Sequence, residues 1–106
     1  MYVRSENNKK VIVTEGLSRK LLSYGGAMMS VLLEFQDGVG MPVHSHPHEQ
    51  NTYIISGVFS LTLNGKVYEI KAGDSFYVEP NIVHGLKCIK SGQVIDTFTP
   101  QREDLL

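Results

Sequence analysis

Apolar and polar positions along the 106-residue chain alternate in short runs and do not repeat every three or four residues. Met29, Val31, Leu33 and Phe35 occupy every second position, so a strand over residues 27–35 directs all four to one face. A shorter run over residues 18–24 precedes it, with Gly25 and Gly26 as the turn between them. The methionines in these runs read as core filler, since thioethers adapt to irregular space. Asn64 and Gly65 form the strongest hairpin signal, because a two-residue type I′ turn needs positive φ at both central residues. That turn predicts Phe59 opposite Ile70, Leu61 opposite Tyr68 and Leu63 opposite Lys66, a largely apolar face. No segment has a helical period, and glycine-rich turns separate the runs at the spacing of an all-β sandwich or barrel. No repeat, low-complexity tract or linker interrupts residues 1–106, which predicts one domain. Residues 1–10 are polar enough to be partly disordered.

Charge and cysteine usage narrow the functional classes. Ten basic and eleven acidic side chains leave a net charge of −1, which argues against nucleic acid or an anionic membrane as the main partner. Cys88 is the only cysteine, so neither an internal disulfide nor a cysteine-rich zinc site is expected. Residues 1–10 lack a basic start followed by an apolar run, and no stretch is long enough to span a bilayer. The expected location is cytoplasmic.

The candidate chemistry lies in the histidines. His44, His46 and His48 fall within five residues, and His84 stands alone further on. Imidazoles two apart on a strand project to one face, so His44 and His46 can grip one ion while His84 closes the site from a distant strand. Continued alternation would aim His44, His46, His48 and Gln50 the same way, more side chains than one ion accepts from a straight strand. Pro47 resolves the conflict: it cannot donate to a central ladder, so Pro47, His48 and Glu49 form a turn and Gln50 opens the next strand. His48 then lies outside the ligand set, as an exposed turn residue or at the entrance, and Glu49 meets solvent. Thr52 and Ile54 follow Gln50 on the inward face.

Two hairpins are open for the segment after His84. A two-residue loop at Ser91 and Gly92 pairs Lys87 with Asp96 and turns that carboxylate away from His84. A three-residue loop over Lys90, Ser91 and Gly92 puts glycine at the left-handed position and pairs Leu86 with Asp96 and His84 with Phe98. The second is preferred, and it brings Asp96 into a partly apolar cavity near the ion, a setting suited to a catalytic acid or base.

The histidine spacings also resemble a known family. Gly38, five residues, His44-x-His46, three residues, Gln50, six residues and Gly57 follow the first cupin motif, with Gln50 in place of the usual glutamate. Residues 73–81 (GDSFYVEPN) followed by His84 resemble the second, with Glu79 at the usual proline and Asn81 at the usual second glycine. Residues 16–24 (GLSRKLLSY), 44–50 (HSHPHEQ) and 96–106 (DTFTPQREDLL) are similar to the pectin-degradation (KdgF-type) uronate-linearising cupins, a likeness spanning nearly the whole chain. The resemblance implies a double-stranded β-helix, or jelly-roll, barrel and one divalent metal ion held by His44, His46, Gln50 and His84. Imidazole and amide donors do not discriminate strongly among zinc, nickel, manganese, iron and cobalt. Four neutral donors leave the ion's charge uncancelled, which favours Lewis acidity.

The substrate this implies is a 4,5-unsaturated monouronate from pectin or alginate breakdown, and the product is the linear 5-keto-4-deoxyuronate. Asp96 would transfer the proton, Arg102 would fork onto the substrate carboxylate and Phe98 would shape the pocket wall. Against that role, Arg102 can instead be a tail cation balanced by Glu103 and Asp104. A metal-dependent dioxygenase and a non-catalytic small-molecule-binding or sensor cupin are the alternative classes. A homodimer is expected, both from the family and because the apolar run over residues 27–35 offers an edge for pairing.

Overall fold

A computed structural model describes residues 1–106. Ten strands carry the fold: β1 (Val11–Thr14), β2 (Leu17–Gly25), β3 (Met28–Phe35), β4 (Gly40–His44), β5 (Glu49–Ile54), β6 (Val58–Leu63), β7 (Lys66–Lys71), β8 (Ser75–Val78), β9 (His84–Lys90) and β10 (Gly92–Thr99). They form a six-stranded sheet in the order β1-β2-β3-β10-β5-β8 and a four-stranded sheet in the order β4-β9-β6-β7, every pairing antiparallel. Short 3-10 turns at Ser5–Asn7 and Glu103–Leu105 are the only helical elements, and no helix is long and apolar enough to cross a membrane. The all-β class read from the alternating pattern is observed, and of the sandwich and barrel it left open the fold is the jelly-roll barrel that the family resemblance implies.

Alternation accounts for the core. Met29, Val31, Leu33 and Phe35 of β3 are all buried, as are Ile54 of β5, Val94 and Phe98 of β10, Phe59 and Leu61 of β6, and Leu86 and Cys88 of β9. Phe35 and Phe59 meet edge to face across the two sheets, ring centroids 5.2 Å apart, the arrangement aromatic quadrupoles prefer. The Asn64-Gly65 turn has φ of +48° and +83°, and β6 and β7 pair in the register it predicts. The paired face is only half apolar in its surroundings, since Tyr68 and Lys66 are exposed on the outermost strand.

Two expectations are corrected. β9 and β10 do not form a hairpin: β9 lies between β4 and β6, whereas β10 lies between β3 and β5 in the other sheet. The chain changes sheets at Ser91 and Gly92, where a Cβ on Gly92 would run into the Ser56 carbonyl group. Glycine serves there for close backbone approach and not as a left-handed loop residue, because its φ is not positive. The second correction concerns edges. The 27–35 run is flanked by β2 and β10 and has no free edge; the edges of the larger sheet are β1 and β8. β1 carries exposed Val11, Ile12 and Val13.

Candidate metal centre

Both sheets contribute to one cluster between them. His44 ends β4 and His84 begins β9, and the two are cross-strand partners with ring centroids 4.5 Å apart. His46 lies two residues beyond β4, just before the bend that leads into β5, so a loop and not strand alternation brings it to the others. The Asn81 amide donates to the His46 carbonyl oxygen at 2.8 Å, which ties that loop to the one before His84. Asn81 has φ of +66°, a left-handed conformation in keeping with the motif's usual glycine. The ring of His46 is 5.6 Å from that of His44 and 4.9 Å from that of His84.

The hydrogen bonds of the rings decide which nitrogens face the site. His44 Nδ1 is 2.8 Å from the Pro42 carbonyl oxygen and His84 Nδ1 is 2.9 Å from that of Ile82. A carbonyl only accepts, so both Nδ1 atoms carry the proton and both Nε2 atoms present lone pairs. His84 Nε2 is buried with no hydrogen-bond partner. One nitrogen from each of His44, His46 and His84 falls in a group whose members lie within 4.8 Å of one another.

Gln50 completes the cluster from β5. Its Nε2 donates to Thr52 Oγ1 at 2.9 Å and to Asp96 Oδ1 at 3.4 Å, which turns Oε1 toward His46 Nε2 at 3.0 Å. That separation suits a donated proton, and it equally suits two neighbouring ligands of one cation, whose bonds of about 2.1 Å meet near a right angle. The buried, unpartnered His84 nitrogen and this turned amide fit a divalent ion held by His44, His46, His84 and Gln50.

Asp96 lies opposite Thr52 on β10, and Phe98 opposite Gln50, so all four side chains point between the sheets. Thr52 Oγ1 donates to Asp96 Oδ1 at 2.6 Å, giving a continuous chain Asp96–Thr52–Gln50–His46. Oδ1 of Asp96 takes both of the carboxylate's hydrogen bonds, and Oδ2 is left for a proton. Burial pushes the Asp96 carboxyl up to about 6, against the opposing pull of Thr52, the Arg102 charge and Gln50. Burial lowers His46 to about 4, with the Arg102 charge adding to the effect, and burial also lowers His84. Both rings are therefore neutral at neutral pH, as metal ligation requires.

Arg102 follows the last strand and lays its guanidinium over Phe98, Cζ 5.1 Å from the ring centroid, while Phe98 stands 5.7 Å from the His46 ring. Asp104 accepts from Arg102 Nε at 3.0 Å and Nη2 at 2.8 Å, so the tail pairing weighed from sequence is present, made by Asp104 and without Glu103. His48 falls outside the three-histidine group, its ring 5.3 Å from that of His46. It lines a polar hollow of about 410 Å³ with Gly26, Pro100, Gln101, Glu103 and Asp104. A separate hollow of about 450 Å³, lined by residues such as Lys10, Ser18 and Gln36, includes none of the histidines. Glu49 is exposed but bound: Tyr77 and Thr99 donate to its two oxygens at 2.6 and 3.2 Å. Thr52 and Asp104 were not assigned site roles from sequence. For Thr52 the signal was its position two residues past Gln50 on the same face; no local pattern marked Asp104.

Two facing antiparallel sheets with three imidazoles and an amide gathered between them define a β-barrel with a candidate mononuclear metal centre. Residues 31–96 match the cupin domain, and the chain belongs to the cupin family. It is 35% identical over 95 residues to the pectin degradation protein KdgF of Dickeya dadantii strain 3937, covering 87% of this chain and 86% of that protein. Among solved structures, an RmlC-like cupin from Shewanella frigidimarina superposes with a TM-score of 0.95 at 35% identity, over 99% of this chain and 95% of that one. KdgF from Halomonas sp. gives a TM-score of 0.95 at 28% identity, over 100% and 98% of the two chains.

Proposed function

We propose that the protein is a pectin-degradation enzyme that converts 4,5-unsaturated monouronates to linear 5-keto-4-deoxyuronates in a metal-dependent reaction. Similarity to KdgF supports the pathway, and the chain Asp96–Thr52–Gln50–His46 is the observation that carries the reaction. It links a buried carboxyl group able to exchange a proton near neutral pH to the ligands of the candidate metal centre.

The conversion is an isomerisation. The C1 hydroxyl loses a proton, the C1–O5 bond breaks to give an aldehyde at C1 and an enolate at C5, and C4 gains a proton as the enolate becomes a ketone. His44, His46, His84 and Gln50 would hold a divalent ion, which when bound would supply electrophilic stabilisation for negative charge on substrate oxygen, undiminished by any anionic ligand. Asp96 Oδ2 removes the C1 hydroxyl proton and returns one to C4, and a carboxyl near 6 does both at neutral pH with little penalty. Thr52 and Gln50 hold Oδ1, so the proton resides on the other oxygen. Arg102 binds the substrate carboxylate and Phe98 forms the wall beneath it.

Incubation with an unsaturated monouronate, following loss of the ultraviolet band of the conjugated double bond, tests the reading. Turnover that stops on chelation and returns with added divalent metal is the expected result. If the metal binds but the band persists, the linearisation reading fails and a binding cupin without turnover takes its place.

A further inference from the structure

The Arg102–Asp104 pair leaves part of the guanidinium free. A guanidinium carries five N–H groups on a rigid plane and can be gripped along its side, through Nε and one Nη, or at its end, through both Nη atoms. Asp104 takes the side: its two oxygens accept from Nε and Nη2, and the Arg102 guanidinium makes no other hydrogen bond. The end, with Nη1 and the second N–H of Nη2, is uncommitted. The Arg102 side chain is 18% exposed while that of Asp104 is 61% exposed, so the carboxylate grips from the solvent side of a largely covered cation. The inner surroundings are Phe98, over which the guanidinium lies, and the group of His46, His84 and Asp96, all of which feel its charge.

Local structure makes the grip possible. Glu103–Leu105 form one 3-10 turn closed by the Leu105 amide donating to the Arg102 carbonyl at 3.0 Å, which bends Asp104 back beside Arg102. Leu105 packs on the hydrophobic core and anchors the turn. A tail cation held only for neutralisation needs no such anchoring, because an exposed ion pair is worth little by itself.

We infer that Asp104 is a positioning residue: by clamping the side of the Arg102 guanidinium, it presents the free end of the fork to the carboxylate of the bound sugar acid. The inference rests on Arg102 being the carboxylate-binding group of the proposed reaction. It assigns the tail beyond β10 a part in substrate recognition through the residue that hydrogen-bonds the Arg102 guanidinium. The opposite role, in which Asp104 competes with the ligand for the guanidinium, predicts the opposite sign.

The test uses the full-length metal-loaded protein and two readouts. In nitrogen-15 NMR the Arg102 Nε–H signal should be sharp and slow to exchange in the parent, and broadened or lost in Asp104→Asn and Asp104→Ala. In kinetics on an unsaturated monouronate, Asp104→Asn should raise KM roughly tenfold or more, the worth of a charge-assisted hydrogen bond, with kcat changed less than about twofold. Asp104→Glu should recover part of the loss, and Asp104→Asn should add nothing in an Arg102→Ala background. A lower KM in Asp104→Asn overturns the inference in favour of competition, and an additive double variant overturns it as well. If the parent does not turn over the uronate, the proposed reaction fails. The NMR arm still judges the clamp, which is refuted if the Arg102 signal is indifferent to Asp104.

Discussion

Replacing Asp96 with Asn separates two consequences of burying one carboxyl group. In the folded protein its pKa stands at about 6 against the usual 3.8, and the difference corresponds to a penalty on the order of 3 kcal/mol for holding the charged form inside. The sign follows from the direction. Below 3.8 the group is protonated in both folded and unfolded chains and no penalty exists; as pH rises through 3.8 to 6 the unfolded chain ionises first and stability falls. Above 6 the penalty is complete. Asn keeps the shape and still accepts from Thr52, so in the metal-free protein it should raise stability at pH 7.5 by about 1–3 kcal/mol and leave it nearly unchanged at pH 4. A bound cation offsets the same penalty, so the gain should shrink in the metal-loaded form. Turnover should move the other way, falling roughly 10²- to 10⁴-fold, the usual worth of a general acid or base. Urea midpoints at the two pH values, with and without metal, and the ultraviolet assay at matched metal content measure both. An equal stability change at pH 4 and 7.5 refutes the burial argument, and unchanged turnover refutes the proton-transfer role.

The remaining predictions concern the metal, the barrel and assembly. Changing His44, His46 or His84 to Ala should each lower bound metal sharply by elemental analysis, Gln50→Ala should lower it less and His48→Ala hardly at all; equal loss from His48→Ala contradicts the ligand set. Chelation should leave the far-ultraviolet dichroism unchanged, because twelve buried apolar residues form a core that excludes the histidines; unfolding on chelation would contradict this. Gly92→Ala should cost about 1–3 kcal/mol in urea titration, since its Cβ would run into the Ser56 backbone, and more than Gly65→Ala, whose Cβ meets nothing and is opposed only by its φ. We also propose a homodimer, with the exposed apolar strand β1 at the sheet edge as the surface that pairs. Analytical ultracentrifugation at micromolar concentration should give twice the monomer mass, and a monomer there would count against it.

Several features were legible before the structure because they are local. The two-residue period of β3 reports its buried face, since strand side chains alternate whatever lies above them. The Asn64-Gly65 turn predicts its own register, because a type I′ loop closes only one pairing. His44-x-His46, and the turn at Pro47 before Gln50, announce a site for the same reason: their relative positions are set within seven residues of chain. What surrounds a strand is not local. The loop at Ser91-Gly92 reads as a hairpin, yet the chain there leaves one sheet for the other, and only contact with Ser56 and Gly57 shows why glycine is needed. Asp96 therefore faces His84 across the barrel and not along a shared hairpin. The expected burial was correct while the expected neighbours were not, because alternation sets which side of a strand a residue occupies but not which strands flank it. The tertiary structure alone decided that Asp96 meets Thr52 and Gln50 and that Arg102 folds back over Phe98 with Asp104 at its side. Those contacts depend on which strands of distant sequence close the barrel, a choice made by the packing of the whole core and carried by no short stretch of the chain.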